Sequence, residues 1–174
     1  MESSIRPSGG YECELIQHDS RISGTSQNVG GRQRLVDVLN GEGPSLDIAK
    51  AVVDFRNGTE GLRKENLTVL KHSILLAVPR ETPEQSRQML MQRSLVGRAM
   101  RRPLTVSILL PGMSIEGTAH LPAGAGSVQL SMLERFFPIT EAAVSVAGDV
   151  PFKAPVVLVN REAIVAFTLG RPAF

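Results

Sequence analysis

Arg21-Ile22-Ser23-Gly24-Thr25, near the start of the chain, returns in the second half as Ser114-Ile115-Glu116-Gly117-Thr118. The correspondence extends outward from there. Leu35-Val36-Asp37-Val38-Leu39 is answered by Gln129-Leu130-Ser131-Met132-Leu133, and Ile48-Ala49-Lys50-Ala51-Val52-Val53 by Ile139-Thr140-Glu141-Ala142-Ala143-Val144. Val69 to Val78 is answered by Val157 to Phe167. A period of about ninety residues is too long for a solenoid unit, so the pattern predicts two copies of one small domain.

The local pattern within each copy is mostly that of strands. Tyr11, Cys13 and Leu15 alternate with Glu12, Glu14 and Ile16, while Leu104, Val106, Ile108 and Leu110 are separated by Thr105, Ser107 and Leu109. Next in each copy comes a strand around the Ile-x-Gly-Thr element, then a helix of about two turns. Leu35, Val38 and Leu39 mark this helix in one copy, and Leu130, Met132 and Leu133 in the other, which places Leu39 and Leu133 at equivalent buried positions. Three β-branched runs follow, the last two joined by Lys71-His72-Ser73 or Asn160-Arg161-Glu162, which read as hairpin turns. Five short strands in about 65 residues fit a bent barrel that leaves no open edge. The expected fold class is therefore mainly β with short helices, as two tandem five-stranded small barrels related by internal pseudo-symmetry.

Between the copies, residues 81–102 read as an amphipathic linker helix. Thr82 is an N-cap, Pro83 sits at the first helical position, Gln85 completes a capping box and Pro103 ends the run. The expected domain map is a disordered tail over 1–10, barrel repeats over 11–80 and 103–174, and the linker helix between them.

The chain has 174 residues, 42% of them hydrophobic, and a net charge of +2. Its basic character is local: six arginines against Glu81 and Glu84 give +4 between Arg80 and Arg102, leaving −2 elsewhere. Apolar stretches fall short of the roughly 20 residues that span a bilayer, so no transmembrane segment is expected. The N-terminus lacks the apolar core of a signal peptide, and the single cysteine suits a reducing compartment, so a cytoplasmic location is expected.

No catalytic motif stands out. His18, His72 and His120 lack partners at metal-ligand spacing. Cys13 lies between Glu12 and Glu14, which oppose thiolate formation. Gly41-Glu42-Gly43-Pro44 and Gly124-Ala125-Gly126-Ser127 lack the lysine of a phosphate loop and read as turns. Glu116, Glu134, Glu141 and Glu162 occur in one copy only. No metal, cofactor or catalytic residue is therefore expected. The candidate interaction surface is the basic linker, with Arg87, Arg93, Arg98, Arg101 and Arg102. Nucleic acid is the alternative partner for these arginines, but no aromatics interleave with them to form a base-stacking platform.

The hairpin Val156-Val157-Leu158-Val159-Asn160-Arg161-Glu162-Ala163-Ile164-Val165-Ala166-Phe167 resembles the second signature of the Sm-like barrels, with Asn160-Arg161-Glu162 in place of that family's RNA-touching Arg-Gly turn. Arg34-Leu35-Val36-Asp37-Val38-Leu39-Asn40 and Pro138-Ile139-Thr140-Glu141-Ala142 are similar to the helix and following strand of an uncharacterised bacterial domain family. Both resemblances imply a small barrel and supply no chemistry. The leading expectation is a non-enzymatic interaction or assembly protein, an oligomer or partner-binding module. A nucleic-acid-binding module comes second, and an enzyme with a site between the repeats third.

Overall fold

The computed structural model describes residues 10–27, 34–80, 101–122 and 133–170. The first half contains β1 (Tyr11–Ile16), β2 (Ser20–Ser26), α1 (Leu35–Asn40), β3 (Ser45–Phe55), β4 (Leu62–Leu70), a single 3-10 turn (Lys71–Ser73) and β5 (Leu76–Arg80). The second contains β6 (Arg101–Leu110), β7 (Met113–Pro122), β8 (Phe136–Val146), β9 (Phe152–Asn160), a 3-10 turn (Arg161–Ala163) and β10 (Ala166–Leu169). All ten strands form one antiparallel sheet in the order β10-β6-β7-β8-β9-β5-β1-β2-β3-β4. Each half thus carries the same local order, its fifth strand beside its first and its fourth at the far side.

The two halves share an uncommon backbone feature. Between Ser23 and Thr25 the β3 partner steps from Val52 to Ala49, and between Glu116 and Thr118 the β8 partner steps from Ala143 to Thr140. Each step is a β-bulge, with one glycine opposed by two residues. Lys50 (φ 50) and Glu141 (φ 52) absorb it in the left-handed region. The bulge shifts the inward parity, so that Ile48 and Ala51 are both buried, as are Ile139 and Ala142. It also forces close approach. A Cβ on Gly24 would lie 2.5 Å from Ile48 Cγ2 and 2.7 Å from the Ala49 carbonyl oxygen, and one on Gly117 would lie 2.6 Å from Ile139 Cγ2 and 2.8 Å from the Thr140 carbonyl oxygen.

Three expectations need correction. The sheet is open: β4 and β5 do not pair, so Lys71-His72-Ser73 is not a hairpin turn, and neither is the segment that follows Asn160. The physical reason is that the 3-10 turn sends the chain across the half instead of back alongside itself. The Lys71 N–H donates to the Pro44 carbonyl before β3, and the Leu75 N–H then donates to Ile16 on β1. Second, Arg101 and Arg102 are not helical. Their backbones belong to β6, opposite Pro122 and Leu121 on β7. Pro103 accordingly does not end a helix but lies within the strand, beyond the Val106–Leu109 segment that β10 covers, where a missing N–H is tolerated. Third, Leu39 is fully buried but Leu133 only partly so. The rest of the expected linker helix, and the helix expected over 129–132, lie outside the described residues.

Two apolar cores form, and each borrows from the other half. The first gathers Leu15, Ile22, Leu39, Ile48 and Val69 with Phe136 and Leu158 from the second half. The second gathers Ile108, Ile115, Ile139 and Val157 with Ile16, Leu75, Leu76 and Val78 from the first. Successive strand residues face opposite sides, so along β5 Leu76 and Val78 enter one core while Ala77 enters the other. Burial on both faces explains why Ile74 to Val78 is a continuous apolar run.

Candidate interaction surface

The halves meet where β5 pairs with β9, through Leu76 opposite Val159 and Ala77 opposite Leu158. Asn160 extends this short ladder, and Asn40 adds a second link between the halves at β8. Asn160 is buried; its backbone N–H donates to the Leu75 carbonyl at 3.1 Å and its carboxamide Nδ2 to the Ile74 carbonyl at 2.8 Å. At the end of α1, Asn40 Nδ2 donates to the Phe136 carbonyl at 2.7 Å while Asn40 Oδ1 accepts from the Phe136 N–H at 2.8 Å. A side-chain amide thereby pairs with a backbone in the manner of a strand residue.

Charged groups cross the same boundary. Glu14 accepts from Arg80 at 2.8 Å and pairs with Arg21 at 2.9 Å, and Arg21 reaches Asp149 of the second half at 2.6 Å. In the first half Arg34 holds Asp37 through its backbone N–H and two guanidinium nitrogens, which keeps the Asp37 carboxyl below its ordinary value and fastens the first turn of α1. Lys71 is buried, donates Nζ to the Gly41 carbonyl just past α1, and has its pKa lowered chiefly by desolvation and then by Arg135.

Exposed large apolar side chains gather at the two ends of the sheet. Among the described residues the exposed large hydrophobics are Leu62, Leu70, Leu109, Val150 and Val165. All but Val150 lie on or beside the terminal strands β4 and β10, so their distribution follows the edges. Leu109 sits opposite Ala166, and the Val165 N–H donates to the Leu109 carbonyl. In the first half the corresponding residues are Ile16, opposite Leu76, and Leu75, whose N–H donates to Ile16.

The residues singled out for chemistry are dispersed. His18 is exposed in the β1–β2 turn with Nδ1 2.5 Å from Asp19, His72 lies in a 3-10 turn, and His120 on β7 is 3.2 Å from Thr140 Oγ1. Among the described residues no cluster of three His, Cys, Asp or Glu side chains could hold a metal. Burial first, and Glu14 to a lesser degree, push the Cys13 thiol up to about 12 against a backbone hydrogen bond from Ser26, so it is a protonated core residue. Glu134 accepts from Asn40, Glu162 pairs with Arg135, and Glu116 is exposed. Glu141 lines a shallow depression with Pro103, Thr105, Thr118, His120 and Thr140. Of the basic surface, Arg87, Arg93 and Arg98 lie outside the described residues, while Arg101 and Arg102 are placed on a strand. No helix among the described residues is long and apolar enough to cross a membrane.

No protein-family model, curated protein or solved structure matches the chain significantly.

Sequence reasoning passed over Asn40, Asn160, Leu109 and Val165. For Leu109 a signal existed: it is apolar on the otherwise polar parity of its strand, and Ile16 breaks the alternation of β1 at the corresponding place. Nothing in the sequence distinguishes Asn160 from an ordinary turn asparagine.

Proposed function

We propose that the chain is a non-enzymatic interaction or assembly module that makes its contacts through the ends of its sheet. The observation that carries this reading is the position of Leu109 and Val165: they occupy the places of Ile16 and Leu75, which are buried between the halves. Buried apolar anchors dominate most protein interfaces, and an exposed pair of this kind beside an edge strand marks a docking surface. Each half, with its own core and repeated strand order, is read as one small barrel-like unit in tandem with the other.

The test is crosslinking and sedimentation of the full chain against a Leu109→Glu/Val165→Glu variant, with a parallel titration of duplex DNA and RNA. Loss of association in the variant is expected, with no nucleic-acid binding at physiological salt. Micromolar nucleic-acid binding that weakens with salt by a slope of about 0.9 per neutralised phosphate, and that is lost on changing Arg87, Arg93 and Arg98 to Gln, would promote the nucleic-acid reading instead.

A further inference from the structure

The sheet order states one five-strand unit twice, so its two ends are complementary. One end is β10, counterpart of β5, and the other is β4, counterpart of β9. Within the chain, β5 and β9 pair. We infer that β10 of one chain pairs with β4 of a second copy, repeating between molecules the junction that joins the halves within one. This rests on the assembly reading above and names the partner as the chain itself.

The register follows from carrying the internal junction over. Leu76 opposite Val159 becomes Ala166 opposite Val69, and Ala77 opposite Leu158 becomes Phe167 opposite Thr68. The Asn160 N–H bond to the Leu75 carbonyl becomes one from the Leu70 N–H to the Val165 carbonyl. The Leu70 N–H is aimed correctly for this. Backbone groups alternate sides along an antiparallel strand, and the next residue, Lys71, donates inward to Pro44. Leu109 and Val165 then cover the first core of the neighbouring chain, as Ile16 and Leu75 cover the second core of their own.

The two ends also differ from the internal junction in ways that set its strength. Thr68 replaces Leu158 and Leu70 replaces Asn160, so the side-chain bond to Ile74 has no counterpart. The contact between chains is therefore weaker than the one within the chain, and reversible. Arg63, Lys64 and Glu65 are exposed on the first part of β4. Charges there block pairing along the whole edge and confine docking to the uncharged end, Leu67 to Leu70. A contact joining different surfaces is heterologous, so each chain offers one donor and one acceptor end.

The experiment is sedimentation velocity on the full chain over a concentration series, with one variant blocking each end. Leu70→Pro blocks β4: Leu70 has φ −76, within the range proline adopts, and its N–H faces away from β3. Leu109→Glu/Val165→Glu blocks β10. Both variants should keep the wild-type far-UV circular dichroism; Thr68→Lys, exposed on the same edge, serves as a second block of β4. The wild type should associate with rising concentration, and each variant alone should sediment as the 18.8 kDa monomer. An equimolar mixture of a β4-blocked and a β10-blocked variant should form a 1:1 dimer and nothing larger, since one intact junction remains. Association that Leu109→Glu/Val165→Glu abolishes and the β4 blocks leave unchanged, or a mixture that forms no dimer, overturns head-to-tail pairing while leaving the assembly reading in place; association that all the blocks leave unchanged overturns both. A monomeric wild type at every concentration also overturns head-to-tail pairing. If Leu109→Glu/Val165→Glu then abolishes binding to some other protein, the assembly reading alone survives.

Discussion

Leu109 holds in the second half the position that Ile16 holds in the first, yet Ile16 is 0% exposed and Leu109 50% exposed. The same contrast separates Leu75, 8% exposed, from Val165, 70% exposed. The difference lies in what sits beside them. The first pair is covered by the second half, and the second pair stands at the end of the sheet.

Asn160→Ala should lower stability by about 1–3 kcal/mol, because it leaves the Ile74 carbonyl unsatisfied at the junction and removes the acceptor for the Glu162 N–H. Chemical denaturation should show a lower midpoint with an unchanged slope. A midpoint equal to wild type would mean the junction does not depend on this amide.

Gly24→Ala and Gly117→Ala should each destabilise, by about 1–3 kcal/mol, because the added methyl meets backbone oxygen as well as an isoleucine branch. Thermal melts of the two variants should shift in the same direction and by similar amounts. A neutral result at one glycine only would show that the two bulges are not equivalent.

Cys13 should resist thiol reagents in the folded protein at pH 8 and react on unfolding, since its pKa is pushed up to about 12 by burial. A folded-state pKa raised above the unfolded value of about 8.5 means the protonated thiol contributes stability below that pH. The contribution is lost as pH rises from there through 12. Colorimetric thiol titration with and without denaturant measures the first part, and rapid labelling of native protein would contradict it.

Asp37 carries the opposite sign. Its carboxyl is lowered by the Arg34 side chain first and by the Arg34 backbone N–H as well. Its contribution is therefore present above the ordinary carboxylate range and lost as pH falls through the folded value. The pair is well exposed, so Asp37→Asn should cost less than about 1 kcal/mol. The difference from wild type should shrink in melts at acid pH; a constant difference would assign the effect to packing.

The duplication, the faces of the strands and the glycines that both bulges require are legible from the residues alone. Inward positions such as Val106, Ile108 and Leu110 follow from alternation because a strand's side chains repeat every two residues. Even the off-phase Ile16 and Leu109 were visible as apolar residues on a polar parity. Alternation says which face a side chain takes but not which strand lies alongside, because every residue but proline carries the same backbone hydrogen-bonding groups. That β5 leaves β4 to pair with β1 and β9, that Asn160 closes the junction and that the sheet stays open therefore emerge from long-range packing. Those outcomes depend on where the 3-10 turn carries the chain and on burying β5 between two cores. The same path covers Ile16 and leaves Leu109 at the sheet's end.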